Sequence, residues 1–249
     1  MRRLALLLLL SLAPAARADE QLVVALTQDV IQINSNFTGA EFVVYGTVET
    51  ADAYKDADER DIVIVVRGPN RTETVRRRER IAGVWINADA ATFGNVPSFY
   101  HVASTAPLDR ITAPAVLKRK SIGLDNLALE EPARKDAASF RKALIRNRTA
   151  AALYAEDIGG VTMNGPALFQ ARIAMPANVP VGSYTVEAYL FRNGQEISAY
   201  SAPLVIDKAG LERTLFDVAH AYSALFGVAV ILMGVLIGLG AAFIFRERD

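Results

Sequence analysis

The sequence has no cysteine, two histidines and one tryptophan among its 249 residues. A secreted eukaryotic domain of this size is usually cross-linked by disulfide bonds, so their absence favours a bacterial periplasmic domain that relies on its own core. The Asn-x-Thr triplets that begin at Asn36, Asn70 and Asn147 are therefore interpreted as chance occurrences rather than glycosylation sites.

The shortage of histidine and cysteine also limits the chemistry that the chain can perform. His220 lies at the edge of an apolar segment, and His101 lies in a short strand-like segment, where we expect it to be a structural residue. No common metalloprotease, hydrolase or nucleotide-binding motif occurs. We therefore expect a protein that is not an enzyme, with no catalytic, cofactor-binding or metal-binding residue. An envelope hydrolase that uses His101 or a carboxylate stays open as a weaker alternative.

Charge is balanced, with 27 Lys and Arg against 27 Asp and Glu. This balance gives no electrostatic signal for nucleic acid, which we exclude as a partner. An acidic run over residues 52–61 invites a calcium-binding interpretation, but it lacks the glycine that such a loop needs at its centre. A solvated loop between strands is the preferred interpretation.

The N-terminus has the pattern of an export signal. Arg2 and Arg3 precede an apolar run over Leu4–Leu12, and Ala16-Arg17-Ala18 supplies the small residues of a cleavage site. The apolar run is shorter than the roughly 20 residues that a membrane span needs. Residues 1–18 are therefore predicted to be a signal peptide.

The C-terminus has the pattern of a membrane anchor, because no charged residue occurs from Val218 to Phe245. We predict a juxtamembrane helix over residues 209–221, a transmembrane helix over 222–245 and a cytoplasmic tail over 246–249. The protein would then be a single-pass protein of the bacterial inner membrane, with residues 19–208 in the periplasm.

Small residues recur along one stripe of this predicted span. Gly234, Gly238 and Ala242 follow one another at intervals of four, a spacing that lets two helix backbones approach closely. Helix packing, including homodimerisation, is one interpretation; the other is that glycine is simply common in membrane helices.

Residues 19–208 are predicted to be mostly β-structure. Phe42–Val48 and Tyr184–Leu190 alternate apolar and other residues, while Ile62–Val66 is apolar throughout. Asn193-Gly194 is a strong signal for a tight hairpin turn. We predict one immunoglobulin-like β-sandwich, because too few strands remain for a second.

A helical insertion is predicted at about residues 118–157, where the strand pattern stops. Ala137, Phe140 and Leu144 form its apolar stripe. Arginine and lysine occupy the positions that the pattern leaves exposed.

The densest charge feature is the run Arg76, Arg77, Arg78 and Arg80. A hairpin tip that faces anionic lipid headgroups or an acidic loop of a partner is one interpretation. A solvated strand and turn is the other. The nearby Trp85 is expected to lie in the core.

Several longer segments carry a resemblance to a known family. They are Ile62–Pro69 (IVIVVRGP), Val75–Asn87 (VRRRERIAGVWIN), Asn95–Thr105 (NVPSFYHVAST) and Pro176–Gly194 (PANVPVGSYTVEAYLFRNG). The chain resembles an uncharacterised family of alphaproteobacterial transmembrane proteins. The resemblance implies a signal peptide, a periplasmic β-rich domain and one C-terminal transmembrane helix, and it supplies no activity. It also implies an accessory role beside a sulfite-exporter-like permease.

The leading hypothesis is therefore a membrane-anchored periplasmic interaction module, an accessory subunit of a transporter or envelope complex. The alternative is a periplasmic domain that binds a small anion through Arg67, Arg77, Arg78 or Arg80 and serves a permease.

Overall fold

The computed structural model describes residues 20–34, 37–49, 60–81, 83–208 and 223–244. The predicted signal peptide, juxtamembrane helix and cytoplasmic tail lie outside these residues. The chain divides into two units, of which the first holds the β-structure up to Ile206 and the second holds the C-terminal helix. Each is considered by itself.

Twelve strands and four α-helices are present in the described residues. The strands are β1 (Gln21–Leu26), β2 (Val30–Ile33), β3 (Gly39–Glu49), β4 (Arg60–Arg67), β5 (Asn70–Ile81), β6 (Val84–Pro97), β7 (Tyr100–Ser104), β8 (Tyr154–Ile158), β9 (Val161–Asn164), β10 (Leu168–Pro176), β11 (Gly182–Arg192) and β12 (Gln195–Lys208). The helices are α1 (Leu108–Ile111), α2 (Pro114–Lys120), α3 (Ala137–Ala150) and α4 (Ser223–Ile244). The prediction of a mostly β domain is confirmed.

Two of the three sheets form the body of the domain. One has the strand order β1-β3-β10-β9 and the other β2-β12-β11-β4-β7-β8. They lie against each other, since β1 contacts β11 and β4 contacts β9. The predicted alternation places the buried residues between the sheets: Phe42 and Val44 of β3 are fully buried, as are Phe169 and Ile173 of β10.

The larger sheet is covered on its second face as well. All five residues of Ile62–Val66 in β4 are buried, as the continuous apolar run predicts. The covering segment follows β7: Tyr100 donates from its hydroxyl to the carbonyl of Ser121 and accepts from the amide of Gly123. Burial raises the pKa of Tyr100 to about 12, so its hydroxyl stays protonated at neutral pH.

The turn between β11 and β12 is the one that the sequence predicts. Asn193 and Gly194 both have positive φ, at 50° and 80°. A type I′ turn needs this conformation at both positions, and asparagine and glycine adopt it most readily.

The helical insertion differs in part from its prediction. Ala137, Phe140 and Leu144 of α3 are buried, as predicted. Helix already begins at α1, and residues 154–158 form β8, which pairs in parallel with β7. The insertion is therefore the crossover connection that two parallel strands require.

The second unit contains α4, which is 22 residues long. Its described side chains are those of residues 227–228 and 231–240. Among the helices of the described residues, none combines the length and the apolar character of a membrane span.

Candidate interaction site on the long hairpin

Strands β5 and β6 form a two-stranded sheet of their own. Their pairing runs from Asn70↔Pro97 to Ile81↔Val84. Gly83 lies in the turn with φ at +86°, and a β-carbon built on it would have no neighbour within 4 Å among the described residues.

A β-bulge divides this hairpin into two parts. Arg77 pairs with Asp89, but Arg78 pairs with Asn87, so Ala88 is an extra residue in β6. We call residues 70–77 and 89–97 the hairpin base, and residues 78–81 and 83–87 the hairpin tip.

The hairpin base is packed against helix α3. A buried cluster joins its apolar side chains to two residues of the helix; the members are Val75, Ala91, Phe93, Val96, Phe140 and Leu144. Backbone hydrogen bonds of 3.0 Å in both directions between Gly94 and Glu130 add a second attachment. The base is thereby fixed to the domain.

Charged residues strengthen the same contact. Arg134 binds both Asp89 of β6 and Asp136 before α3, while Arg77 donates to Asp136 at 3.2 Å and to Ser139 at 3.0 Å. The hydrogen bonds from Arg134 hold the pKa of both carboxyl groups below its usual value.

The two guanidinium groups of this network also contact an aromatic ring. Their central carbons lie 4.5 Å (Arg77) and 4.6 Å (Arg134) from the centroid of the Phe140 ring. Cation–π attraction at these distances adds to the packing of Phe140 in the base.

The hairpin tip is exposed and apolar. Ile81, Val84, Trp85 and Ile86 retain 53%, 63%, 65% and 43% of their accessible surface. The expectation that Trp85 lies in the core is therefore wrong. The strand continues beyond α3, and among the described residues nothing covers the indole.

The two faces of the tip carry different side chains. Residues of β5 alternate between faces, and residues that pair across the strands share a face. Trp85 pairs with Arg80, so it lies on the face of Arg76, Arg78 and Arg80. Ile81, Val84 and Ile86 lie on the other face.

Comparison with known proteins identifies the family. The family model described as "Putative transmembrane protein (Alph_Pro_TM)" matches residues 21–247. The chain belongs to this family. The resemblance found in the sequence is thus confirmed.

Other comparisons add little. No curated protein matches the chain. Among solved structures, a match is the crystal structure of Spo0M, sporulation control protein, from Bacillus subtilis, at 8% identity and a TM-score of 0.28. The match covers 82% of this chain and 55% of that one, so the chain spans about half of that protein's length. A likeness this weak supports no conclusion about function.

The four arginines named for an anion site, Arg67, Arg77, Arg78 and Arg80, do not all meet at one place. Arg77 belongs to the network of the base, and Arg67 of β4 pairs with Glu187 and donates to the carbonyls of Lys120 and Ser121. Arg76, Arg78 and Arg80 have no acidic partner among the described residues. Arg76, Arg78 and Arg80 therefore form an exposed basic face on the hairpin, and its role as a contact stays a prediction.

An open groove of about 340 Å³ lies between the hairpin and α3. Its lining includes Arg76, Arg77 and Arg78 of β5 with Phe140 and Arg146 of the helix. Arg146 is a site residue that the sequence alone does not single out, because its proximity to β5 depends on how α3 packs.

His101 is buried at 8% exposure beside Phe99, with ring centroids 6.4 Å apart. Burial lowers the pKa of His101, while the charge of Asp157 raises it less strongly. The imidazole is therefore neutral at pH 7. Its Nε2 atom has no hydrogen-bond partner among the described residues.

The residues named for helix packing lie in α4. A β-carbon built at Gly234 or Gly238 would meet no described atom within 4 Å. Ala242 belongs to the same helix, and its side chain lies outside the described residues. Packing through this stripe stays a prediction.

Proposed function

We propose that the protein is a non-enzymatic interaction module of the bacterial envelope, in which a periplasmic β-domain is held at the inner membrane by α4. The observation that carries this proposal is the hairpin tip. Four large apolar side chains stand exposed at the end of a hairpin whose base is firmly packed. Exposed apolar patches beside charged residues mark contact sites, and tryptophan and arginine are enriched in interfaces.

The anchor is supported by the sequence and by the family. No charged residue occurs over the 28 positions from Val218 to Phe245, which is enough to cross a hydrocarbon core of about 30 Å. The family is described as one of transmembrane proteins. With residues 1–18 as a cleaved signal peptide, the β-domain lies in the periplasm and the C-terminus in the cytoplasm.

We also propose that the two larger sheets form an immunoglobulin-like sandwich. The order β1-β3-β10-β9 corresponds to strands A-B-E-D of that fold, and β12-β11-β4 to strands G-F-C. The long hairpin and the helical crossover are then additions between C and D. An experimental structure that places β9 in the larger sheet would contradict this assignment.

The partner that we propose is a polytopic membrane protein, such as the sulfite-exporter-like permease that the family resemblance implies. A partner in the same membrane needs no diffusion through the periplasm, and Gly234 and Gly238 offer it a flat helix surface. The β-domain then serves as an accessory subunit rather than as a catalyst.

Crosslinking of the tagged full-length protein in native membranes, followed by purification, tests this role. We expect one membrane protein to be recovered in stoichiometric amount and its recovery to fall when Gly234→Leu and Gly238→Leu are combined. Val235→Leu, which lies off the stripe, is the matched control. Recovery of the protein alone would contradict the accessory role.

The groove between the hairpin and α3 favours a second candidate, the binding of a small anion. Arg76, Arg78 and Arg146 have no acidic partner in the described part of the chain, and guanidinium groups suit sulfite-like or carboxylate ligands. Melting temperatures measured across a panel of anions test it, with Arg146→Gln as the variant that removes the effect. Identical melting temperatures across the panel would exclude this function.

A further inference from the structure

We propose that the hairpin tip inserts into the surface of an anionic phospholipid membrane. The proposal rests on the function above, because the domain must be held at a membrane for the tip to reach one. It adds a second membrane contact, made by strands, to the contact made by α4.

Charge on the tip favours an anionic surface. Arg78 and Arg80 of the tip share one face with Arg76 at the end of the base, and none of the three has an acidic partner within the described residues. Glu79 is the acidic residue of the tip. Closely spaced arginines at a lipid surface are attracted by anionic headgroups. A neutral surface offers them no comparable attraction.

The order of side chains along the strands matches the depth profile of a lipid leaflet. Ile81 and Val84 flank the turn, Arg80 pairs with Trp85 at the next level, and Ile86, Arg78 and Arg76 follow in that order. At about 3.3 Å per residue, Arg78 stands roughly 10 Å behind Ile81 and Arg76 roughly 17 Å behind it. Apolar side chains of interfacial segments enter about 5–10 Å into the boundary between headgroups and acyl chains.

Trp85 lies level with Arg80, between the apolar residues at the turn and the arginines Arg78 and Arg76. Tryptophan is enriched at this level of membrane proteins because its ring is apolar and its N–H is polar. Arg80, its cross-strand partner, donates from Nε to the carbonyl of Gly83 in the turn at 3.2 Å. On insertion this bond is exchanged for headgroup contacts as the long side chain extends back toward the surface.

The packed base makes insertion efficient. The contacts of Phe140, Arg134 and Arg77 hold the hairpin in place before any contact with lipid. A preformed element loses less conformational freedom on binding than a flexible loop does.

Trp85 is the sole tryptophan of the chain, so its fluorescence reports on the tip alone. Full-length protein is mixed with vesicles of phosphatidylcholine, or of phosphatidylcholine and phosphatidylglycerol in equal parts, with and without brominated acyl chains. With anionic vesicles we expect a blue shift and quenching of most of the emission by bromine. Neutral vesicles should leave the emission near that of an exposed indole.

Two triple variants, each lacking three positive charges, test whether the basic face of the hairpin causes the blue shift and the quenching. Combined Arg76→Gln, Arg78→Gln and Arg80→Gln should abolish the shift and the quenching. Lys118→Gln, Arg119→Gln and Lys142→Gln remove three exposed charges elsewhere and should leave both unchanged. Equal loss in the two variants would show only a general charge effect and would overturn the proposal.

Flotation of the protein with the same vesicles distinguishes insertion of the hairpin tip from membrane binding through α4. Protein that floats with both lipids but shows unshifted, unquenched Trp85 overturns the tip proposal and keeps the anchor. Flotation with anionic vesicles alone, with quenched Trp85, supports the tip and contradicts the anchor. Protein that floats with neither lipid contradicts both. A blue shift of the Trp85 emission that occurs only in native membranes would show that the tip binds a protein partner, and it would overturn the proposal.

Discussion

The base and the tip of the long hairpin belong to the same two strands, yet they have opposite surroundings. In the base, Phe93 and Val96 are fully buried, and Arg134 binds two carboxylates. In the tip, Trp85 is 65% exposed and Arg78 has no acidic partner among the described residues. Backbone pairing continues through both parts. Packing against α3, rather than strand pairing, therefore decides which part serves stability and which part is free for contact.

The largest effect that this comparison predicts comes from Phe140→Ala. Phe140 is 2% exposed in the cluster of the base, and truncation of a buried phenylalanine costs about 3–5 kcal/mol. Denaturant unfolding followed by circular dichroism gives the change in free energy. Trp85→Ala is the matched aromatic control and should cost about 0.5 kcal/mol or less. Similar losses of unfolding free energy in the two variants would contradict the difference between the hairpin base and the hairpin tip.

A change of pH should act on the body of the domain and not on the tip. His101 has a folded-state pKa below its usual 6.5, so the unfolded state binds more protons as the pH falls through that value. The free energy of unfolding should then decrease from pH 7 to 5, by at most about 1.4 kcal/mol per pH unit. His101→Phe should flatten this dependence, while the emission of Trp85 stays constant. A profile that is already flat before substitution contradicts the prediction.

Arg134→Gln should have an effect of intermediate size, confined to the hairpin base. Loss of its hydrogen bonds should raise the pKa of Asp89 and Asp136 toward its usual value. Carboxyl titration by NMR measures this, and amide hydrogen exchange in the base should become faster. Arg78→Gln, an unpaired arginine of the same hairpin, is the control and should change neither. Unaltered titration of Asp89 would show that Arg134 does not hold the base.

The smallest effect on stability is expected in the tip. Ile81→Ser combined with Ile86→Ser removes apolar surface that is already exposed, so the free energy of unfolding should stay within about 0.5 kcal/mol. The same pair should weaken association with membranes, as measured by co-sedimentation of the protein with anionic vesicles. A stability loss like that of Phe140→Ala would mean that the tip is part of the core.

Much of the fold follows from local pattern in the sequence. The buried run Ile62–Val66, the stripe of Ala137, Phe140 and Leu144, and the Asn193-Gly194 turn each depend on neighbours within a few residues. Such features are fixed by periodicity or by backbone conformation, which a sequence displays directly.

The features that the sequence does not disclose depend on distant partners. Trp85 is exposed because β6 extends past the end of α3, and no local pattern reports that length. Arg67 is held by Glu187, 120 positions away, which removes it from the set of free arginines. The sequence indicates that the basic run is a candidate contact, but the register is needed to separate Arg77, which packs on Phe140, from Arg76, Arg78 and Arg80 on the opposite face.

The bulge at Ala88 has a consequence for how the protein changes over evolution. It marks the point where the packed register ends and the exposed one begins, so substitutions beyond it alter a contact surface with little effect on folding. The residues of the hairpin base are constrained by Phe140 and the two carboxylates that bind Arg134. We expect substitutions between Arg78 and Asn87 to alter contact with a membrane or partner, and substitutions in the hairpin base to alter stability.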